Sequence, residues 1–269
     1  MSWSTQKTEA IILAVYPNRE ADRWYRALTP DFGKIEFTGR GAQKREAKLA
    51  SHLEPFAIVD LEVVRGRRST TVISVERRHD FYWVRTQLEQ RLLAVASATF
   101  VNRYTKEEAS DAALYHFFSD WLSFLDRDFL LTPAENSVLL AAFLLRLLTR
   151  LGYDIDFSHC LSCRKSVESL ECRWHGGRGG LVCSSCANID SRDWFASREV
   201  GNYALKFLRC LKQESYENLL HQPIDREILE QAALVIHDAV LCHIPTYDET
   251  PFWQALLPRE WLENQQGKL

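Results

Sequence analysis

Two Cys-x-x-Cys pairs, Cys160/Cys163 and Cys183/Cys186, stand nineteen residues apart in the stretch HCLSCRKSVESLECRWHGGRGGLVCSSC (159–186). That separation lies in the window in which two such pairs fold over one another and share a single zinc ion. Zinc takes four tetrahedral ligands in a structural site and keeps one position open for water in a catalytic one. Four thiolates fill every position, so the spacing points to a closed, structural site. The GGRGG run at 176–180 offers the positive-φ residues of a tight hairpin that would deliver the second pair. His159 and His175 could each replace a sulfur, and Cys172 lies inside the loop; these rank below the four paired cysteines. Cys172, Cys210 and Cys242 read as small core or surface residues.

The module sits in a chain of 269 residues, longer than one compact core usually organises, so two domains or one with a satellite are expected. The longest apolar run, Val138 to Leu145, is eight residues, against the roughly 20 needed to span a bilayer, so no membrane segment is expected. The amino terminus has no basic stretch leading into an apolar one, which implies no secretory signal. With seven cysteines, a chain of the cytoplasm uses its thiols for metal or leaves them free. The formal charge of −3 is unevenly spread. Residues 1–80 hold fourteen Lys/Arg against eleven Asp/Glu, an excess of three positive charges, which leaves six negative charges on the rest. That asymmetry suits either a basic binding face on the first part of the chain or, more commonly, a solvated surface.

Short strands are expected at 8–15, 22–29, 33–39, 55–64 and 69–76, separated by turn-rich PNRE and PDFG. A longer, partly helical excursion, RGAQKREAKLASHLE, falls between the third and fourth. Five strands broken by one longer element after the third suit a small closed barrel of the OB type. Beyond Asp80 the apolar period changes from two to about 3.6. A helix is expected near 85–103, a second after a capping box at Thr105 and Glu108, and a third after Thr132, Pro133 and Glu135. Helical patterns resume near 198–211 and at 225–243, and an apolar tail with Pro251, Phe252, Trp253 and Trp261 is expected to pack back. The fold class is therefore α+β: an OB-fold barrel followed by an all-helical domain that carries an inserted four-cysteine zinc module. Its segments are the barrel at 1–80, the first helical part at 81–157, the zinc module at 158–190, the second helical part at 191–250 and the tail at 251–269.

Enzyme chemistry finds little footing. His52-Leu53-Glu54 matches the His-x-Glu of zinc nucleobase deaminases, but Ser158 and His159 rather than proline precede Cys160, and a second pair of thiols would close the metal. No GxxxxGK[ST], GxSxG or HExxH run is present.

In order and spacing these pieces resemble the RecO family of bacterial recombination mediators. The resemblance rests on Asp22-Arg23, on Thr29 to Lys34 as a T-x-x-x-GK segment, on Arg40 to Leu49 as an RGAxxxxSKL-like segment, and on the helical body interrupted by two Cys-x-x-Cys pairs. Ala47 stands where the family often has serine. The resemblance implies a non-enzymatic protein acting in the cytoplasm at the nucleoid. Such a protein binds single- and double-stranded DNA, anneals complementary strands, and works with RecR to help RecA replace single-strand-binding protein at gaps, capturing that protein's acidic, phenylalanine-ended tail on its helical domain. Arg40, Lys44, Arg45 and Lys48 are the expected DNA-binding residues, with Arg67, Arg68 and Lys34 in support, and Phe32 and Phe37 could stack on bases. The competing expectation is a zinc-containing adaptor that binds only proteins, or a transcription factor without general annealing activity.

Overall fold

The computed structural model describes residues 4–18, 21–43, 49–66, 69–107, 109–167, 171–220 and 225–243. They belong to two compact units that divide between Phe129 and Leu130. Lys44, Arg45, Lys48, Arg67, Arg68 and the tail at 251–269 lie outside the described residues.

The first unit opens with five strands, β1 (Ser4–Asn18), β2 (Asp22–Thr29), β3 (Gly33–Gly39), β4 (Ile58–Arg65) and β5 (Thr70–His79). They close into a barrel in the order β1-β2-β3-β5-β4, the arrangement of an OB-like fold. β1 is long enough to serve two neighbours: Ser4 to Ile11 pairs with β4, and Ile11 to Asn18 pairs with β2. Alternation supplies the core. Ala10, Ile12, Tyr25, Ala27, Ile35, Phe37, Val59, Leu61, Val63 and Val72 all point inward, and each large apolar side chain so buried contributes about 1.5–3 kcal/mol. β3 and β5 close the barrel through one parallel pair, Thr38 opposite Thr71.

Among the described residues, three helices follow in this unit: α1 (Tyr82–Thr86), α2 (Leu88–Tyr104) and α3 (Ala112–Leu125). The change of period at Asp80 marks a change of secondary structure, and the compact unit runs on beyond it because polar bonds tie these helices to the barrel. Lys34 Nζ donates to the carbonyl of Asn102 at 2.7 Å, Ser110 Oγ to that of Pro30 at 3.0 Å, and Tyr115 Oη to Glu9 Oε1 at 3.0 Å. Thr105 does not open α3. Its hydroxyl turns back to the carbonyl of Val101 at 2.6 Å and ends α2, while Asp111 accepts from the Leu114 N–H as the true N-cap. The helix is therefore capped six residues beyond the expected Thr105, by a single Asp111 side-chain bond, and Glu108, the other half of the expected box, lies outside the described residues.

The second unit begins with α4 (Pro133–Arg150), whose capping box at Thr132 and Glu135 is formed in both directions. Its length is apolar nearly all round and almost wholly buried. A small three-stranded sheet follows, built from β6 (Cys172–His175), β7 (Gly180–Cys183) and β8 (Arg198–Val200) in the order β7-β6-β8, with the short helix α5 (Ser184–Ile189) after β7. β8 and the turn at Gly201 replace the start of the helix expected at 198. The helix itself, α6 (Asn202–Gln213), is followed by α7 (Tyr216–Leu220) and α8 (Arg226–His243). The four-cysteine module thus interrupts a helical body. It is anchored there by Gln231 Oε1, which accepts from the Gly201 N–H at 2.9 Å, and by Asp238, which pairs with Arg198 at 3.0 Å. No helix among the described residues is long and apolar enough to cross a membrane.

Candidate metal centre and nucleic-acid interface

The first cysteine pair lies on a tight knuckle. The Arg164 N–H donates to the Cys160 carbonyl at 2.9 Å, the Cys160 N–H donates to the Lys165 carbonyl at 2.9 Å, and Arg164 adopts a left-handed φ of 61° to close the turn. The second pair is split between the last residue of β7 and the first turn of α5. Between them the GGRGG run forms a single 3-10 turn at Gly176–Arg178, and only Gly179, at φ 63°, uses the left-handed conformation there. A bond from the Leu161 N–H to the Leu181 carbonyl, 2.7 Å, fastens the first knuckle to β7.

This framework gathers the Sγ atoms of Cys160, Cys163, Cys183 and Cys186 within 4.8 Å of one another. Cys163 and Cys183 are 3.9 Å apart, close to the sulfur–sulfur edge of about 3.8 Å that a four-thiolate zinc tetrahedron requires. The donors differ in their readiness to ionise: at Cys186 a hydrogen bond with Ser162 favours the thiolate, but hydrogen bonding with Cys183 and burial outweigh it and push the thiol up to about 12, whereas Cys160 is set toward the thiolate. Burial opposes ionisation of Cys160, but N–H groups at Cys163, Cys183 and Ser162 converge on its sulfur and bring its pKa down to about 6. The cluster can hold one metal ion, and four protein ligands leave no position open for a substrate water. Among the described residues it is the one group of this kind. His159 is engaged with Asp156 at 2.9 Å, His175 Nδ1 accepts from the Arg178 N–H at 3.1 Å, and Cys172 is buried in β6 outside the cluster. The ranking of these three below the paired cysteines agrees with that placement.

The barrel residues sort differently. Lys34 is turned inward. It is 7% exposed, burial lowers its pKa, and its ammonium is spent on the last turn of α2. A cation at a helix C-terminus satisfies an orphan carbonyl and the local dipole, so this lysine joins β3 to α2. Gly33 beside it has φ 64°, and a Cβ there would come within 2.0 Å of the Ala109 carbonyl oxygen. Phe37 is also inside, 1% exposed and stacked on Tyr25 with centroids 5.3 Å apart, and Phe32 packs against the same core. The Phe37 ring is enclosed, while Phe32 keeps part of its surface exposed.

Arg40 is exposed. It leaves β3 on a turn held by Asp22, whose Oδ1 accepts from the Gly41 N–H at 2.8 Å, while Gln43 donates to the Asp22 carbonyl at 2.7 Å. Asp22 of the Asp22-Arg23 pair thus holds the turn through Arg40 and Gly41. Through Thr38 and Thr71 that turn lies beside the entry to β5, and so beside the β4–β5 loop that opens at Gly66. A cleft of about 350 Å³ joins these parts, lined in part by Trp24, Thr38, Arg65, Gly66, Ser69 and Thr70.

Next to this cleft is a feature that strand alternation conceals. Tyr16 and Trp24 are directly opposite across β1 and β2, with ring centroids 5.4 Å apart. Arg26 lies over both rings, 4.7 Å from the Trp24 centroid and 5.8 Å from that of Tyr16, and its Nε donates to Glu36 Oε1 at 2.6 Å. A β-bulge between Ile12 and Ala14 hides the pair from a period-two pattern. Strict alternation from Ala10 and Ile12 would turn Tyr16 inward. The extra residue instead brings Val15 against the core and leaves Tyr16 39% exposed. The signal available in the sequence was the alternation of β2 itself, with Tyr25 and Ala27 in and Trp24 and Arg26 out.

Comparison with known proteins agrees with this architecture. A family model described as "Recombination protein O N terminal" matches residues 1–81, and one described as "Recombination protein O C terminal" matches residues 85–248. Among similar curated proteins, "DNA repair protein RecO" of Dehalococcoides mccartyi strain BAV1 is 26% identical over 92% of this chain and 94% of its own length. The protein of the same name from Geobacter metallireducens is 27% identical over 88% of this chain and 92% of its own. That from Roseiflexus sp. strain RS-1 is 30% identical over 78% and 71%. With both parts of the chain matched in order, and with the barrel, the helical body and the clustered cysteines in place, the chain belongs to the RecO family of DNA repair proteins.

Proposed function

We propose that this protein is a non-enzymatic recombination mediator: it binds single- and double-stranded DNA, anneals complementary strands, and with RecR helps RecA load on DNA covered by single-strand-binding protein. The observation that carries this reading is the topology of the barrel's cationic end. The single pair Thr38–Thr71 makes neighbours of two segments that are far apart in sequence, the one that begins at Arg40 and the one that begins at Arg65. Their cations, Arg40, Lys44, Arg45 and Lys48 from one and Arg67 and Arg68 from the other, would track the phosphates of a strand laid across the cleft. The metal held by the four cysteines is zinc in this reading, and it acts on folding rather than on chemistry. The helical domain captures the acidic tail of single-strand-binding protein in an apolar site rimmed by cations.

The experiment is salt-titrated binding of the pure protein to fluorescent single-stranded DNA, comparing wild type with the double charge reversal Lys44→Glu, Arg45→Glu. For every phosphate of a single strand that is no longer neutralised, the slope of log affinity against log salt falls by about 0.7 in magnitude. The double variant should bind every sequence more weakly and with a flatter salt dependence, at unchanged metal content. A folded double variant with the wild-type affinity and slope would remove the DNA site from this edge. An adaptor would bind RecR and show no salt-dependent DNA binding at all, and a transcription factor would discriminate among duplex sequences.

A further inference from the structure

Resting on that reading, we infer that the outer face of β1 and β2 is a stacking platform for unpaired bases, and that Tyr16 and Trp24 are the residues by which this chain distinguishes a single strand from a duplex. A register row crosses the barrel at this height: Tyr16 is opposite Trp24, Trp24 opposite Thr38, Thr38 opposite Thr71. Along it the surface passes from aromatic rings to hydroxyls, and the cleft then leads to Arg65 and the β4–β5 loop. That sequence of chemistries matches one strand of nucleic acid, with bases at one edge and phosphates at the other. It does not match an apolar helix, which would need a continuous greasy face.

The rings are held ready for this. The Arg26 guanidinium lies over Trp24 and is itself fixed by Glu36 across β2 and β3, so a clamped cation on one face of the indole stiffens it. The same ion pair neutralises Glu36, one of the two carboxylates, with Glu107, that line the cleft, and so removes a charge that would repel phosphate. Stacking of this kind is indifferent to base identity because every base has a π-face, but it requires a base that is not already stacked within a duplex.

The test uses the full-length protein and three fluorescent probes: an oligodeoxythymidine strand, an abasic strand of the same length, and a duplex. Wild type should prefer the base-bearing strand over the abasic one by roughly 5- to 150-fold for each base stacked. The variant Tyr16→Ala, Trp24→Leu should lose that preference, binding the two strands alike, with unchanged duplex affinity and unchanged salt slope. Trp24→Phe, which keeps an aromatic face and the packing beneath it, should retain most of the preference, and circular dichroism and a thermal melt establish that each variant is folded. A folded double variant that still prefers bases to abasic sugars overturns the platform. So does a wild-type protein that binds all three probes and holds the abasic strand as tightly as the base-bearing one, a result that leaves DNA binding intact. A wild-type protein that binds none of the probes overturns the DNA-binding reading and the platform with it.

Discussion

At the scale of single residues, the T-x-x-x-GK segment shows how a motif legible in the sequence can carry a role that is not. Thr29 Oγ1 donates to the Gly33 carbonyl at 2.9 Å and accepts from the Phe32 N–H at 3.0 Å, which folds the turn so that Gly33 meets the segment near Ala109 and Lys34 reaches Asn102. Gly33→Ala would place a Cβ against a backbone carbonyl in a left-handed conformation. It should destabilise the barrel unit by at least about 2 kcal/mol in chemical denaturation, since backbone strain alone costs about 1–3 kcal/mol. Lys34→Met keeps the aliphatic stem and removes the charge. If Lys34 serves α2, this variant binds single-stranded DNA with the wild-type salt slope; a slope reduced by about 0.7 would return the lysine to the phosphate track. Charge and spacing made Lys34 visible, and only its burial decided what the charge is for.

At the scale of elements, the two Ser/Thr-x-x-Glu signals in the helical region differ in outcome for a local reason. Thr132 precedes a proline and has no helix behind it, so its hydroxyl and Glu135 close both halves of the box, the carboxylate accepting from the Thr132 N–H at 2.8 Å. Thr105 ends a helix instead. Thr132→Ala should cost about 1 kcal/mol of stability, the usual worth of an N-cap, read as a fall in the melting temperature of the helical unit. The strand boundaries were legible at β2 and β3 because turn residues flank them on both sides. β1 extends past its expected limits because one strand serves two partners, and the bulge within it is not encoded as a pattern of period two.

At the scale of the whole molecule, the division after Phe129 separates the barrel unit from the unit that holds the cysteine cluster. Four thiolates around one ion contribute their binding free energy to the folding of the module that supplies them. Metal analysis of protein purified without chelator should find one zinc per chain, and Cys183→Ser should abolish it and lower solubility. On adding a chelator, backbone amides of the module and of the adjoining residues of α6 and α8 should lose hydrogen-exchange protection, while those of Ile12, Tyr25 and Val59 in the barrel core keep theirs. Loss of protection throughout the barrel would mean that the metal stabilises both units together.

The sequence by itself determined the four-cysteine cluster, the α+β class, the five-stranded barrel and the family. These are properties of spacing and period: a Cys-x-x-Cys turn places its sulfurs locally, and alternation or a 3.6-residue repeat is written along the chain wherever an element buries one face. Only the tertiary structure decided which cations and which aromatics face solvent. Lys34 and Phe37 were drawn into the interior, and Tyr16 and Trp24 were left outside by a bulge three residues upstream of Tyr16 and by the pairing of distant strands. Side-chain direction on a barrel depends on register, and register is settled between strands, through hydrogen bonds and packing that no single segment contains.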